Sequence, residues 1–391
     1  MIPYGQHSTN YLDAFRVALQ VKRESLTQGS KVTEFENRVA EYVGAKYAVA
    51  VSSATAGLHL AVMALELPIA SEIITSPISF VASSNAILYS GHKPIFVDID
   101  KRNINLDLEL ISNTTQVNSR IKAIIPVHFA GLPCNMQQLK SITSSARLGI
   151  IEDAAHAFGS SYENGERVGS CSNSDMTVFS FHPVKSITTG EGGIVTTNST
   201  ELYRKLLKLR SHGINKLDDQ FKNSILSKTL NHTNPWYYEM QNLGFNYRLT
   251  DIQSVLGISQ LKRIDSFMQK RRKLRIRYMN ALMDNDVITP AQNFETHHSA
   301  NHIFPVRIRF NKIKKSRAQV MNELRKKGIG TQVHYMPIPL HPYYQELGYE
   351  IQNLPEAMSY YEETLTLPLF PDLSFKQQSR VINTLNYAIF N

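Results

Sequence analysis

The chain has 391 residues, 42% of them apolar and 19% charged, an ordinary folded composition with room for one large and one smaller domain. Its apolar runs break within about ten residues, short of the ~20 a membrane-crossing helix needs, and the opening MIPYGQHSTNYLDAF lacks the basic start and apolar centre of a secretory leader. The net charge of +9 admits nucleic acid or an anionic substrate as partner, but no recognition helix, zinc finger or aromatic RNA-binding signature accompanies it, so no nucleic acid and no membrane partner is expected.

Residues 1–46 predict an arm and a helix. The turn LTQGS (Leu26 to Ser30) precedes Val32 to Val43, where Val32, Phe35, Val39 and Val43 mark one helical face, and Gly44 ends it. Tyr47 to Val51 is a short buried strand. SSATAG (Ser52 to Gly57) then leads into an apolar helix with Ser53 or Thr55 as N-cap. The free amides of such a helix start suit a phosphate, although a capped helix without ligand is equally consistent. The loop is neither a Walker loop nor a dinucleotide fingerprint.

The alternation continues. Strands are expected at Glu72 to Thr75, Ile95 to Asp98, Ile121 to Val127 and Gly149 to Glu152, and helices at Phe80 to Tyr89, from Leu106 to Ile111, and at Met136 to Ser145. Short apolar strands alternating with helices predict a largely parallel sheet covered on both faces. Cys134 and Cys171 are far apart, form no metal spacing and no disulfide framework, and suit a reducing cytoplasm. Asp153 closes its strand in IIEDAAH. There it could cap a helix, act as a base, bind a metal or hold a protonated ring nitrogen; His156 lies nearby, but no third ligand is evident, so no metal is expected.

TVFSFHPVKSITTGEGGIVTT (Thr177 to Thr197) reads as strand, Gly-rich loop, strand, with Lys185 in the loop. A lysine at a sheet edge can be desolvated into an amine nucleophile, or it can be a surface lysine in a hairpin. Asn215 to Asn234 reads as a long polar loop. Ile252 to Leu282 is expected to be one long helix, followed by strands near His302 to Ile308 and Ile329 to His334. Helices are expected near Ser316 to Lys327, Leu354 to Leu365 and Phe375 to Phe390. The basic clusters, Lys262 to Arg277 and Lys312 to Lys327, read as solvated helix faces. A lysine, an aspartate on another strand and a phosphate-accepting turn together suit pyridoxal 5′-phosphate, which needs an amine, an acid at the pyridine nitrogen and an anion cradle.

Nine motifs in one order carry a resemblance. They are LTQG, SSATAGLHLA, TSPISFVASSNAI (Thr75 to Ile87), VHFAG (Val127 to Gly131), IEDAAHAFGS (Ile151 to Ser160), SFHPVKSITTGEGG (Ser180 to Gly193), RSHGI (Arg210 to Ile214), GFNYRLTDIQSVLGISQL (Gly244 to Leu261) and QVHYMPI (Gln332 to Ile338). Over nearly its whole length the chain resembles the DegT/DnrJ/EryC1/StrS sugar-nucleotide aminotransferases. Within them it is most similar to the 4-aminotransferases of the pseudaminic-acid pathway.

The resemblance implies the α/β fold type I of PLP-dependent aminotransferases, with a large, mostly parallel-sheet domain (1–249) and a smaller α/β domain (250–391). It implies pyridoxal 5′-phosphate bound to Lys185 as an internal aldimine, Asp153 at the ring nitrogen, Phe80 stacked on the ring and His156 near the phenolic oxygen. Ser53, Ala54, Thr55 and Ser180 would hold the phosphate, completed by Asn246 of a second subunit, so a homodimer with shared sites is expected. Tyr4, Leu26, Thr27, Gln332, Val333, His334 and Tyr335 would line a UDP-linked keto-sugar site. The implied reaction moves an amino group from L-glutamate to C4 of a UDP-4-keto-6-deoxy-N-acetylhexosamine, yielding UDP-4-amino-4,6-dideoxy-N-acetyl-β-L-altrosamine. The alternatives are another nucleotide-linked 3- or 4-keto sugar, or an inactive regulatory protein on the same fold. Gly190-Glu191 departs from the Ala-Glu of similar members. Members that carry His at the lysine position perform dehydration, and Lys185 argues against that chemistry.

Overall fold

The computed structural model describes residues 1–391 apart from 23–24, 145, 217–220, 284, 293–297 and 391. A seven-stranded sheet is formed by β1 (Tyr47–Val51), β2 (Glu72–Thr75), β3 (Lys93–Phe96), β4 (Ile121–Ile125), β5 (Gly149–Asp153), β6 (Met176–Ser180) and β7 (Gly193–Thr197). Their order is β1-β7-β6-β5-β4-β2-β3. The pairs from β3 through β6 are parallel, whereas β7 runs against both β6 and β1. That exception follows from the connection. Segment 181–192 joins β6 to β7 without a helix, and a link lacking a crossover returns antiparallel. The lysine loop is therefore the turn of this hairpin.

Helices cover both faces, which is why β5, β6 and β7 are buried along nearly their whole length. On one side α2 (Ser30–Val43) buries Val32, Phe35, Val39 and Val43 and stops at Gly44, whose φ of 79° is left-handed. On the other, α3 (Ala54–Ala64) packs Leu58, Ala61 and Val62 against Val178 and Val195 in a shared cluster. Before them α1 (Tyr11–Val21) is closed by a capping box between Asn10 and Asp13.

A second core surrounds an antiparallel sheet of Ile288–Pro290, Phe304–Ile308 and Thr364–Leu367. Residues from Ile264–Leu282, Arg317–Lys326 and Phe375–Phe390 fill it, and Ile2 of the N-terminal arm joins them. The large, mostly parallel sheet and this smaller α/β unit form the expected fold class. Among the described residues no helix is long and apolar enough to cross a membrane, and no His, Cys, Asp and Glu group could hold a metal.

Several boundaries differ from expectation. The long helix is two, Asp251–Leu261 and Ile264–Leu282. The break falls at Arg263, whose side chain turns to the Asp13 carboxylate and the Ser8 carbonyl. Residues 329–334 form no strand: Ile329 bridges Ile2 and Gln332 bridges Thr366, each once. The third strand is instead Thr364–Leu367, where β-branched threonines follow a helix that ends at Glu363. Phe80 precedes its helix, which begins at Ala82. The polar stretch after Asn215 contains the helical turn Ser224–Ser227 and a ribbon of Lys228–Thr229 with His232–Thr233, while 217–220 lie outside the described residues.

Candidate active site

Strand register assembles one edge of the site. Ser180, Gly193 and Val51 share a row across β6, β7 and β1. Asp153 sits beside Val178, two residues earlier along β6. Ser53 follows Val51 at the start of α3, where its hydroxyl accepts the Ala56 amide at 3.1 Å. The Gly57 amide bonds the Ser53 carbonyl. The amides of Ala54 and Thr55, in the first helical turn, have no intrahelical acceptor and remain for a ligand. The hairpin closes tightly on this turn: a Cβ at Gly193 would lie 2.6 Å from the Ala54 nitrogen. Ser180 is buried, with its hydroxyl beside the His182 amide.

The Lys185 loop is fixed by the amides of Phe181 and Thr189, which donate to Gly192 and Phe181 carbonyls. Lys185 itself is half-buried. Burial drives its amine down to about 8, against the opposing pull of the Asp153 carboxylate. Asp153 caps no helix. Its Oδ1 accepts the Ala155 amide at 3.1 Å, and its Oδ2 accepts the Ser83 hydroxyl at 2.6 Å.

Around this pair lie three imidazoles. His156 and His302 lie against each other, tilted by 39° with centroids 4.4 Å apart, and both are pushed well below the usual histidine range, chiefly by burial. His334 bonds Thr366 through Nδ1 at 2.9 Å, and burial, aided by the Lys185 charge, lowers it to about 3. Tyr335 approaches His156 Nε2 at 3.0 Å. Burial raises this phenol, with the Asp153 charge adding to the effect, so it stays protonated and donates. His156 then carries its proton on Nδ1, which is buried with no partner among the described residues. Phe80, expected either in the core or on a ring, is 60% exposed and stands 6.4 Å from Tyr335. An outward pair of amides, an orphaned imidazole N–H and an uncovered aromatic face beside the Asp153–Lys185 pair fit a phosphorylated pyridine ring.

The arm supplies another wall. Tyr4 lies 5.3 Å from His334, and a Cβ at Gly5 would touch Val184, next to Lys185, at 3.5 Å. Gln332 is exposed, and its carboxamide oxygen accepts the Val333 amide. Leu26 and Thr27 lie on an exposed turn held by Thr250 and Asp251. Asn246 is exposed and bridges Ser211, in the segment whose Tyr247 carbonyl accepts the Ser52 amide. Two basic side chains of these motifs and loops are already engaged: Arg210 is committed to the buried Glu36 at 2.6 Å, and Arg167 lies on Tyr42 beside Asp265.

Sequence reasoning did not single out Ser83 or His302. Ser83 stands within the quoted TSPISFVASSNAI motif, and its place there was the available signal. His302 begins an expected strand and carries no such mark.

Comparison with known proteins decides the family. The model of the DegT/DnrJ/EryC1/StrS aminotransferase family matches residues 10–386. The chain belongs to this family. A UDP-4-amino-4,6-dideoxy-N-acetyl-beta-L-altrosamine transaminase of Campylobacter jejuni is 36% identical over 98% of this chain and 96% of its own. The structure of Helicobacter pylori PseC, an aminotransferase involved in pseudaminic acid biosynthesis, superposes with a TM-score of 0.90 at 32% identity, covering 100% of this chain and 99% of that one. A sugar aminotransferase of Streptococcus pneumoniae in its PLP form gives 0.87 at 30% identity, covering 99% and 98%. The protein is accordingly a sugar aminotransferase of fold type I, and pyridoxal 5′-phosphate is its cofactor.

Proposed function

We propose that this aminotransferase moves an amino group from L-glutamate to C4 of a UDP-linked 4-keto-6-deoxy-N-acetylhexosamine. The observation that carries the reading is Lys185, its amine lowered to about 8 by burial, within reach of the Asp153 charge. Asp153 would hold the ring nitrogen, and the Ala54 and Thr55 amides with the Ser53 and Ser180 hydroxyls would hold the phosphate. Phe80 would cover the ring, and His156 Nδ1–H would donate to its phenolic oxygen. When bound, the cofactor carries the amino group and supplies a ring that withdraws negative charge. Lys185 holds it through its amine and later delivers a proton at sugar C4, a task suited to a group titrating near neutrality. His334, Tyr335, Val333 and Gln332, with Tyr4, Leu26 and Thr27, would orient the sugar nucleotide. Residues 1–249 would form the cofactor-binding domain and 250–391 the smaller one.

Two copies would share each site, with Asn246 reaching the partner's phosphate. The exposed apolar face of α1 (Tyr11, Leu12, Phe15 and Leu19) and the uncovered Trp236 and Leu243 support a second copy as cover. Sedimentation of a Tyr11→Lys/Phe15→Glu variant should show a monomer with lost activity; an active monomer would refute shared sites. The substrate is tested with UDP-4-keto-6-deoxy-N-acetylhexosamine and ¹⁵N-glutamate. NMR should show nitrogen at C4, absent with Lys185→Ala; nitrogen at C3, or none, would overturn the assignment.

A further inference from the structure

Asp153 is held by a two-hydroxyl relay that none of the assigned roles includes. Ser83 is fully buried, and its Oγ lies 2.6 Å from Asp153 Oδ2. The same oxygen is 3.3 Å from the Phe80 carbonyl. A serine has one proton to give, and the shorter, charge-assisted contact to the carboxylate takes it. The Ser83 oxygen then accepts from Ser79 Oγ at 2.7 Å, also buried. Ser79 lies in the bend that leads into the helix Ala82–Tyr89, and Ser83 in its first turn, so the bend brings the two hydroxyls together. The Ala155 amide occupies the other carboxylate oxygen.

We propose that Ser83, backed by Ser79, is a positioning residue. It fixes the rotation of the Asp153 carboxylate so that the free lone pairs face the pyridine nitrogen of the cofactor. With one donor on each oxygen, the carboxylate cannot turn about its Cβ–Cγ bond without breaking a hydrogen bond in a buried site. The segment from Ser79 to Ser83 therefore serves the ring twice, with Phe80 at its face and the relay at its nitrogen. The proposal rests on Asp153 meeting the ring nitrogen, the reading given above.

The test compares equilibrium binding of pyridoxal 5′-phosphate and its 1-deaza analogue, in which C–H replaces the ring nitrogen, to the cofactor-free full chain. Wild type should prefer the natural cofactor. Ser83→Ala should cut that preference about tenfold, the worth of a charge-assisted hydrogen bond, while leaving affinity for the analogue unchanged. Ser83→Cys, close in size and a weaker donor, should restore part of the preference, and Ser79→Ala should lower it less than Ser83→Ala. Equal weakening toward both compounds, or no change in preference, would overturn the relay. Should Ser83→Ala fail to fold, the cysteine and Ser79 variants decide by the same ratio. If wild type bound the natural cofactor without any preference, the Asp153 reading would fall and the relay with it; preference in wild type unchanged in the variants would sink the relay alone.

Discussion

Lys185 owes its chemistry to where the β6–β7 hairpin turns. Its neutral form gains population as pH rises through about 8, so condensation with added pyridoxal 5′-phosphate should speed up with pH and level off above that value in stopped-flow absorbance. His156, His302 and His334 are all depressed, so none of them should add a second step above neutrality. The same shift has a stability sign. The folded amine binds its proton less well than the unfolded one, so the burial penalty is fully present below pH 8 and fades as pH climbs from there toward the ordinary lysine value. Tyr335→Phe should leave the fold intact but strand His156 Nε2, at about 1–3 kcal/mol, and lower kcat by about tenfold; an unchanged kcat would show that the phenol does not hold the imidazole. Lys185 and Asp153 were legible from sequence because each ends or follows a strand. The His156–Tyr335 link was not, because it joins residues brought together only by tertiary packing.

At the scale of elements, the helix start of α3 and the strand start of β7 interlock. Gly193→Ala would drive a Cβ to 2.6 Å from the Ala54 nitrogen and the Ser53 carbonyl carbon, backbone atoms with little room to yield. Overpacking there should cost about 1–3 kcal/mol and weaken cofactor phosphate binding; calorimetric melting and a phosphate-dependent affinity measure the two effects separately. The alternating strands and helices were readable because apolar period and turn residues agree. The misread elements have local causes. Arg263 splits a continuous apolar period through an ionic contact with Asp13, which no periodicity encodes. Residues 329–334 have strand-like composition, but Ile329 gives its backbone to Ile2 and residue 332 to Thr366 in single bridges.

Across the whole molecule, the N-terminal arm joins the lysine loop to the second core. Ile2 exchanges hydrogen bonds with Gly328 and Gly330 at 2.8 and 2.7 Å, and the Leu369 amide donates to the Tyr4 carbonyl at 3.0 Å. Deleting residues 1–5 should lower the melting temperature by several degrees and raise KM for the sugar nucleotide more than it lowers kcat, since Tyr4 lies against His334. An unaltered KM would place the sugar elsewhere.

The seat of Ile2 also sets an order of events during synthesis. Its neighbours in the second core run from Leu274 to Ile389, so Ile2 must wait for segments that follow it by most of this sequence. At about 5–20 residues per second that wait is tens of seconds. The β1–β7 sheet can fold while those segments are still being made, but the wall carrying Tyr4 cannot be set until they have emerged. A polypeptide released early would hold the lysine and its aspartate and still lack the wall against which the sugar is placed.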